Sequence, residues 1–423
     1  MAGRFAVNRG LDRVMHKISI FFVLLSLLFS QPSMGAGVTP IAANGKLHVS
    51  GAYLCNQRGE PIQLRGMATH GLQWFHSFYG DGQVFGAAAE EWGADVIRLS
   101  IYISESGYVT SKTITQDQFD AWIDDYVNVC VQKGIYIILD WHVHKPGYPG
   151  YYLAAAKTFF EKMSVKYGAL PNVLWEICNE PSAAGLDAIQ SNGTGTDAGH
   201  YVEWSEIVQY ANQVIPIIRH NSPDAVVLVG TPSWSTLGVS TRGDNAWQEI
   251  ADKPLAFPNV MYVIHYYAAS HGFQASFEKA SERLPLFATE WASAGFQETS
   301  SNDEAKGQAF VDMLRRRKIS WAYWNLSNGT PGIFAVLDST TKSDGPFSST
   351  GKNVTPTGKL VYRWLQDPAD SWKDYVPPAW ISAGPRRYIR AGKPVLEWTG
   401  TRLILHGISD GHELIDGSSV PFR

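Results

Sequence analysis

The sequence predicts an α/β protein built as a closed (β/α)8 barrel, with an N-terminal β-hairpin before it and a short C-terminal extension after it. Three observations carry this expectation. Strand-like apolar runs, eight in number, alternate with helical patterns over roughly 300 residues. No Gly-x-Gly-x-x-Gly turn follows the first run, as an open doubly wound sheet that binds dinucleotides would show. Several runs end in polar or aromatic residues, as they do where barrel strands open onto a site.

The chain begins with Arg4, Arg9, Arg13 and Lys17 ahead of an apolar run over 18–29. A basic segment followed by about a dozen apolar residues is the pattern of a signal peptide. Ser33-Met34-Gly35 supplies small residues for cleavage near Gly35 or Ala36, so residues 1–35 are expected to be removed on secretion. The apolar run is short for a membrane span, which takes about 20 residues, so no membrane association is expected afterwards. Residues 36–46 read as a flexible leader. Residues 47–64 read as a hairpin, with Val49 and Leu54 on one side, Asn56-Gln57-Arg58-Gly59 as the turn, and Ile62 and Leu64 returning. This arm is expected to cover the bottom of the barrel.

The eight runs lie at 62–69, 96–103, 135–141, 173–179, 225–230, 261–268, 286–291 and 320–326. Helical patterns fill most of the gaps. The one over 83–92 stops at Gly93. The one over 115–133 carries Phe119, Trp122, Ile123, Tyr126, Val127 and Cys130 at helical spacing and stops at Gly134. Patterns over 151–167, 201–219, 273–282, 304–317 and 357–366 follow the same logic. The connection over 231–258 is the least regular, with one helix expected near 245–251. The catalytic domain is placed at 47–368. Residues 369–423 break the alternation with Pro377, Pro378 and Pro385, and 395–398 with 403–406 suggest a small hairpin.

Composition narrows the function. The chain has 423 residues, 45% hydrophobic and 17% charged, enough to bury a large core. Its 15 tryptophans can fill a core, and they can also pave a sugar-binding groove, because the C–H faces of sugars stack on aromatic rings. A net charge of −4 argues against a nucleic-acid partner. Removing residues 1–35, with four basic residues and one acidic residue, takes it to −7. Cys55, Cys130 and Cys178 form neither an even set nor a metal-ligand spacing, so no disulfide framework is implied. Asn192, Asn325, Asn328 and Asn353 begin glycosylation sequons.

The chemistry gathers at the strand ends. The fourth run passes through Val173, Trp175 and Ile177 into Asn179-Glu180-Pro181, where proline ends the ladder. The seventh ends in Thr289-Glu290-Trp291. Two glutamates at the ends of two buried strands are the raw material of glycoside hydrolysis. The other strands deliver His70 and Trp74, Arg98 and Tyr102, Asp140 and His142, Thr231 and Trp234, His265 and Tyr267, and Trp324 and Asn325. Arg98 needs a buried carboxylate partner, for which Glu290 is the first choice. Glu176 shares a strand face with Glu180 and is a further inward polar group. Asp140 is expected to orient its neighbours.

These segments resemble glycoside hydrolase family 5, in particular its bacterial-type endo-β-1,4-glucanases. The likeness runs over roughly 45–367. It is carried by Arg65 through Trp74, Val96-Ile97-Arg98, Asp140-Trp141-His142, Pro171 through Pro181, His265-Tyr266-Tyr267, Thr289-Glu290-Trp291 and Ser320 through Trp324. The resemblance implies a secreted, retaining cellulase with Glu180 as acid/base and Glu290 as nucleophile. It implies that Arg98 and Tyr267 hold Glu290 ionised, and that Asn179 bonds the sugar 2-hydroxyl. His142 and His265 would line the cleavage subsite, His265 near Glu180. His70, Trp74, Tyr102 and Trp324 would bind glucosyl units. No cofactor or metal is implied, and the partner is a β-1,4-glucan met by a monomer. The lysine that the family often places after the strand-eight tryptophan is absent from Asn325-Leu326-Ser327-Asn328-Gly329. Mannan, xylan and mixed-linkage glucan stay open as substrates, because the identities of Trp74, Trp234 and Trp324 do not decide between them. A non-catalytic glycan-binding barrel would be signalled by loss of one glutamate, and both are present.

Overall fold

The structure, a computed structural model, describes residues 38–182, 201–297, 299–329 and 333–366, together with the strands within 386–421. The expected signal peptide and the sequon at Asn192 lie outside these residues. The chain divides into two compact units, one of which runs from Thr39 to Tyr375.

The first elements of that unit differ from the expectation. Residues 40–44 form a short helix rather than a flexible leader. Thr39 caps it by accepting from Ala42 N at 3.3 Å, Pro40 stands in its first turn, and Ala43 and Asn44 are buried. Strand β1 (His48–Ser50) pairs antiparallel with β2 (Tyr53–Cys55). This pair turns at Gly51-Ala52, where Gly51 takes φ +58°, and the expected turn at Asn56–Gly59 follows it and pairs Cys55 antiparallel with Pro61. Asn56–Gly59 makes a second turn, closed by Gly59 N donating to Asn56 O at 2.9 Å.

Eight parallel strands then close into the barrel: β3 (Arg65–Thr69), β4 (Val96–Tyr102), β5 (Tyr136–His142), β6 (Val173–Glu176), β7 (Val227–Val229), β8 (Val260–Tyr267), β9 (Leu286–Ala292) and β10 (Ser320–Leu326). Each pairs with the next in chain order, and β10 returns to β3. This is the TIM-barrel closure. β6 stops three residues short of the expected end, so Asn179 and Glu180 stand beyond the ladder rather than in it.

Side chains alternate across each strand, so every second residue faces the barrel axis. At the bottom these are Val96, Ile138, Leu174, Leu228, Met261, Val263 and Phe287, packed with Leu47, Leu54, Ile62 and Leu64 from the hairpin arm. The arm thus plugs the bottom, as expected. Each of its four aliphatic side chains contributes about 1.5–3 kcal/mol by leaving water. Two residues further along, the inward positions turn polar: Arg98 after Val96, Asp140 after Ile138, Glu176 after Leu174 and His265 after Val263. The opposite strand faces pack against the helices in one continuous apolar layer that includes Trp141, Trp175, Trp291 and Trp321.

The helices follow their sequence signals. Gln116–Lys133 opens with a reciprocal cap, in which Thr115 Oγ1 accepts from Gln118 N at 3.2 Å and Gln118 Oε1 accepts from Thr115 N at 2.9 Å. It ends at Gly134 in the left-handed region, φ +65°. Removing the Thr115 hydroxyl (Thr115→Ala) is expected to cost about 1 kcal/mol, checked by chemical denaturation. A helix over Leu72–Tyr79 lies where none was expected. The irregular connection after β7 holds short helices at Val239–Arg242 and Gln248–Asp252. No helix among the described residues is long and apolar enough to cross a membrane.

In the second unit, Arg386–Arg390, Lys393–Trp398, Arg402–Leu405 and Val420–Pro421 form a four-stranded antiparallel sheet in chain order. The hairpin expected near 395–406 is the pair Lys393–Trp398 with Arg402–Leu405.

Candidate active site

Arg98 is the hub of the polar layer and is wholly buried. Its Nε donates to Glu176 Oε2 at 2.8 Å and its Nη2 to Glu176 Oε1 at 3.0 Å. The same Nη2 reaches Asn179 Oδ1 at 2.7 Å and Asp140 Oδ2 at 2.9 Å, and Nη1 reaches Glu290 Oε2 at 3.2 Å. Burial by itself would lower the pKa of Arg98. The charges of Asp140, Glu176 and Glu290 outweigh it and raise the value instead. The first-choice partner Glu290 is therefore one of three, and Glu176, left open by the sequence, makes the two-pronged contact. The planar fork of arginine suits this role as no lysine would.

Glu290 reaches the axis because β9 carries a bulge. Val263 pairs with Phe287 and His265 with Glu290, so β9 holds one residue more than β8 between these pairs. With strict alternation only one of Thr289 and Glu290 could face inward. The bulge turns both in. Thr289 Oγ1 donates to Glu176 Oε1 at 2.9 Å, and Glu290 Oε1 accepts from Tyr267 OH at 2.6 Å.

Glu180 faces Glu290 across His265. Its Oε1 lies 2.8 Å from His265 Nδ1, and the His265 Nε2 lies 3.1 Å from Thr289 Oγ1. Burial pushes the Glu180 pKa up to about 7, against the opposing charges of His144 and Arg98. Burial likewise brings His265 down to about 4. Among the described residues, ligand atoms of Glu180, His265 and Glu290 form the one group close enough to hold a metal ion, all within 4.8 Å of one another.

The backbone that carries Glu180 is clamped by the loop after β7. Ser233 and Trp234 adopt left-handed angles (φ 61°, ψ 59° and φ 59°, ψ 47°), and Ser235 follows with φ 53°. Such a conformation costs about 1–2 kcal/mol for each residue that is not glycine, so the surroundings must fix it. Ser235 Oγ donates to Asn179 O at 2.5 Å, and Trp234 N donates to Pro181 O at 3.0 Å. The strained turn thus grips the carbonyls on both sides of Glu180. A Cβ at Gly230 would meet Cys178 O at 2.3 Å, so only glycine fits beside that segment. The turn leaves the Trp234 ring 40% exposed, 6.0 Å from Tyr201.

Aromatic residues pave the opposite side. His70 lies 5.4 Å from Trp74 and 5.2 Å from Trp324 between ring centres, and Tyr102 stacks on His142 at 4.0 Å. Trp74 is 45% exposed while Trp324, Tyr102 and His142 are buried, so one indole stands out above a lined floor. His142 Nδ1 is 2.6 Å from Asp140 Oδ2. Burial and the Arg98 charge hold the His142 pKa well below the usual imidazole value, which keeps this ring neutral.

All eleven site residues expected from the sequence meet at this end of the barrel. Others were not anticipated. His144 continues the alternation of Asp140 and His142, and its Nδ1 bonds Glu105 Oε2 at 2.7 Å beside Lys145. That period of two was the available signal. Thr289 and Ser235 carried no signal, since a bulge and a left-handed turn without glycine are not legible in residue type. Asn325 is buried and its Oδ1 accepts from Ser327 Oγ at 2.6 Å, so its sequon offers no accessible side chain.

Residues 55–330 match the family model described as cellulase (glycosyl hydrolase family 5). The chain belongs to glycosyl hydrolase family 5. An endoglucanase of Thermobifida fusca is 39% identical over 339 residues, covering 80% of this chain and 66% of that protein. An endoglucanase of Streptomyces lividans is 39% identical over 325 residues, covering 76% and 64%. The chain therefore spans just under two-thirds of these relatives' length. The crystal structure of the Thermobifida fusca catalytic domain superposes with a TM-score of 0.69 at 38% identity, over 78% of this chain and 99% of that one. A glutamate-to-glutamine form of that domain, in complex with cellotetraose, gives 0.68 with the same identity and coverage. The family 5 barrel is thus shared across the whole of that catalytic domain.

Proposed function

We propose that this family 5 chain is an endo-β-1,4-glucanase that cleaves internal glucosidic bonds with retention of configuration. The observation that carries the reading is the spacing of the two glutamates, whose oxygens lie within 4.8 Å. Retaining enzymes hold their carboxyls about 5–5.5 Å apart, whereas inverting ones leave about 6.5–9.5 Å for a water. The endoglucanase relatives and the cellotetraose complex of a neighbour support a β-glucan as substrate.

Each residue then takes a role. Glu290, which accepts from Arg98 and Tyr267, attacks the anomeric carbon as a carboxylate. Glu180, partly buried and raised in pKa, gives its proton to the departing oxygen and later takes one from water. Asn179, held by Arg98, is turned to the sugar 2-hydroxyl. His142 and His265 line the cleavage subsite. His70, Trp74, Tyr102 and Trp324 bind glucosyl rings on one side of the cut, and Trp234 is a platform on the wall that carries Glu180.

The basic and apolar opening of the chain supports secretion, with 47–368 as the catalytic part and 369–423 as an extension. Action as a monomer is part of the same proposal.

Two measurements test the reaction. Proton NMR of early products from cellotetraose should show the β anomer, and an α anomer would overturn retention. The pH dependence follows from Glu180: its proton must be present, so kcat/KM is expected to fall as pH rises through about 7. A fall that begins only in strongly alkaline solution would remove Glu180 from the role of acid.

A further inference from the structure

The hydrogen bonds behind Glu180 run in one direction, and the direction places a proton. Both oxygens of Glu176 accept N–H groups of Arg98, so Glu176 is a carboxylate with no hydrogen to give. Thr289 Oγ1 lies 2.9 Å from Glu176 Oε1 and has one hydrogen, which must point there. Only its lone pairs remain for His265 Nε2 at 3.1 Å, so Nε2 carries the hydrogen. His265 is enclosed beside Arg98, and burial keeps it neutral, so the ring has no second hydrogen. Its Nδ1 therefore turns a bare lone pair on Glu180 Oε1 at 2.8 Å. Two lone pairs at that distance repel. A bond forms only when Glu180 brings the proton.

We propose that Thr289 is a positioning residue that fixes His265 in the Nε2–H tautomer and thereby holds Glu180 in its acid form before glycan binds. The proposal rests on the reading of Glu180 as acid/base. The tautomer of an imidazole is set by the bond that its other nitrogen makes, and here that bond ends on a carboxylate anchored by Arg98. Glu180 is faced by His265 and Tyr267 from β8, Glu290 from β9, Arg98 and Tyr102 from β4 and His144 from the loop after β5. His144 is bound to Glu105, and Lys145 lies 3.1 Å from the same carboxylate. Of these neighbours, His265 is the one that hydrogen-bonds the Glu180 carboxyl.

The arrangement also serves the second half of the reaction. Glu180 gives its proton to the glycosidic oxygen as that bond breaks and Glu290 joins the anomeric carbon. The anion left behind gains no hydrogen from His265, so it stays a strong base. Water then adds to the anomeric carbon, its proton passes to Glu180, and Glu290 departs. The starting protonation returns.

The test uses the full chain labelled with ¹⁵N-histidine, with the His265 signals assigned by their loss in His265→Gln. Between the values of about 4 for His265 and about 7 for Glu180, Nδ1 should resonate as an unprotonated nitrogen and Nε2 as a protonated one. In Thr289→Val the ring is free to reverse and donate to Glu180. The alkaline limb of kcat/KM should then move down by about one pH unit or more, and Thr289→Ser should restore it. A protonated Nδ1 in the wild type, or an unmoved limb in folded Thr289→Val, overturns the proposal. If Thr289→Val does not fold, the wild-type spectrum alone decides. Failure of the acid/base reading shows separately, as near-normal turnover by Glu180→Gln.

Discussion

Glu290→Gln is expected to lower kcat on a soluble β-1,4-glucan by roughly four to six orders of magnitude, as loss of a nucleophile does elsewhere. The amide keeps the shape of the side chain, and its oxygen can still accept from Arg98, so the fold and glycan binding should persist. What is lost is the attacking carboxylate. Glu180→Gln should cost less, about 10²–10⁴-fold, and the loss should depend on the leaving group. A dinitrophenyl cellobioside departs without protonation, so its first step is spared and the glycosyl-enzyme accumulates, visible by mass spectrometry. Azide, which needs no base, should then rescue turnover and give a β-glycosyl azide. With Glu290→Gln the same anion would attack directly and give the α product. Near-normal turnover by either variant, or the two azide products exchanged, would reassign the roles.

What the residues revealed, and what they hid, follows from how far each signal reaches. Asn179-Glu180-Pro181 was legible because proline stops a ladder, which marks a strand end whatever the tertiary context. Arg98, His142, His265 and Tyr267 were legible as polar and aromatic residues delivered at the ends of strand-like runs, and their roles came from the resemblance to family 5. Thr289 was not. Strict alternation sends Thr289 and Glu290 to opposite faces, and only the extra residue that β9 holds against β8 brings them together. The clamp after β7 was hidden because Ser233, Trp234 and Ser235 adopt positive φ without a glycine to announce it. Such strain is held by bonds to distant carbonyls, and those are invisible in a local window. The fate of Glu176 was undecided for the opposite reason. Its inward face was readable, but its partner was a matter of which carboxylate Arg98 reaches with both prongs.

Arg98→Met is expected to destabilise the fold by about 3–5 kcal/mol, because removing one partner of a buried ion cluster strands the others. Here one guanidinium faces Asp140, Glu176 and Glu290, all enclosed. Thermal unfolding should fall by on the order of 10 °C. The pH dependence distinguishes this cause from simple loss of packing. Burial already raises the pKa of Asp140 against the opposing charge of Arg98, and without the guanidinium nothing offsets that rise in the folded variant. A group whose folded pKa is raised leaves stability intact below its unfolded pKa and takes it away as pH climbs through the folded one. The deficit of Arg98→Met should therefore be small near pH 4 and widen towards neutrality. A packing defect would cost the same at both. Arg98→Lys keeps the charge but cannot serve Glu176 with two prongs while also reaching Asn179 and Glu290. It should recover part of the stability and little of the activity, since the carboxyl that attacks and the amide that meets the sugar are placed by the fork itself. An Arg98→Met protein as stable as the wild type at neutral pH would mean that the charge cluster does not hold this end of the barrel together.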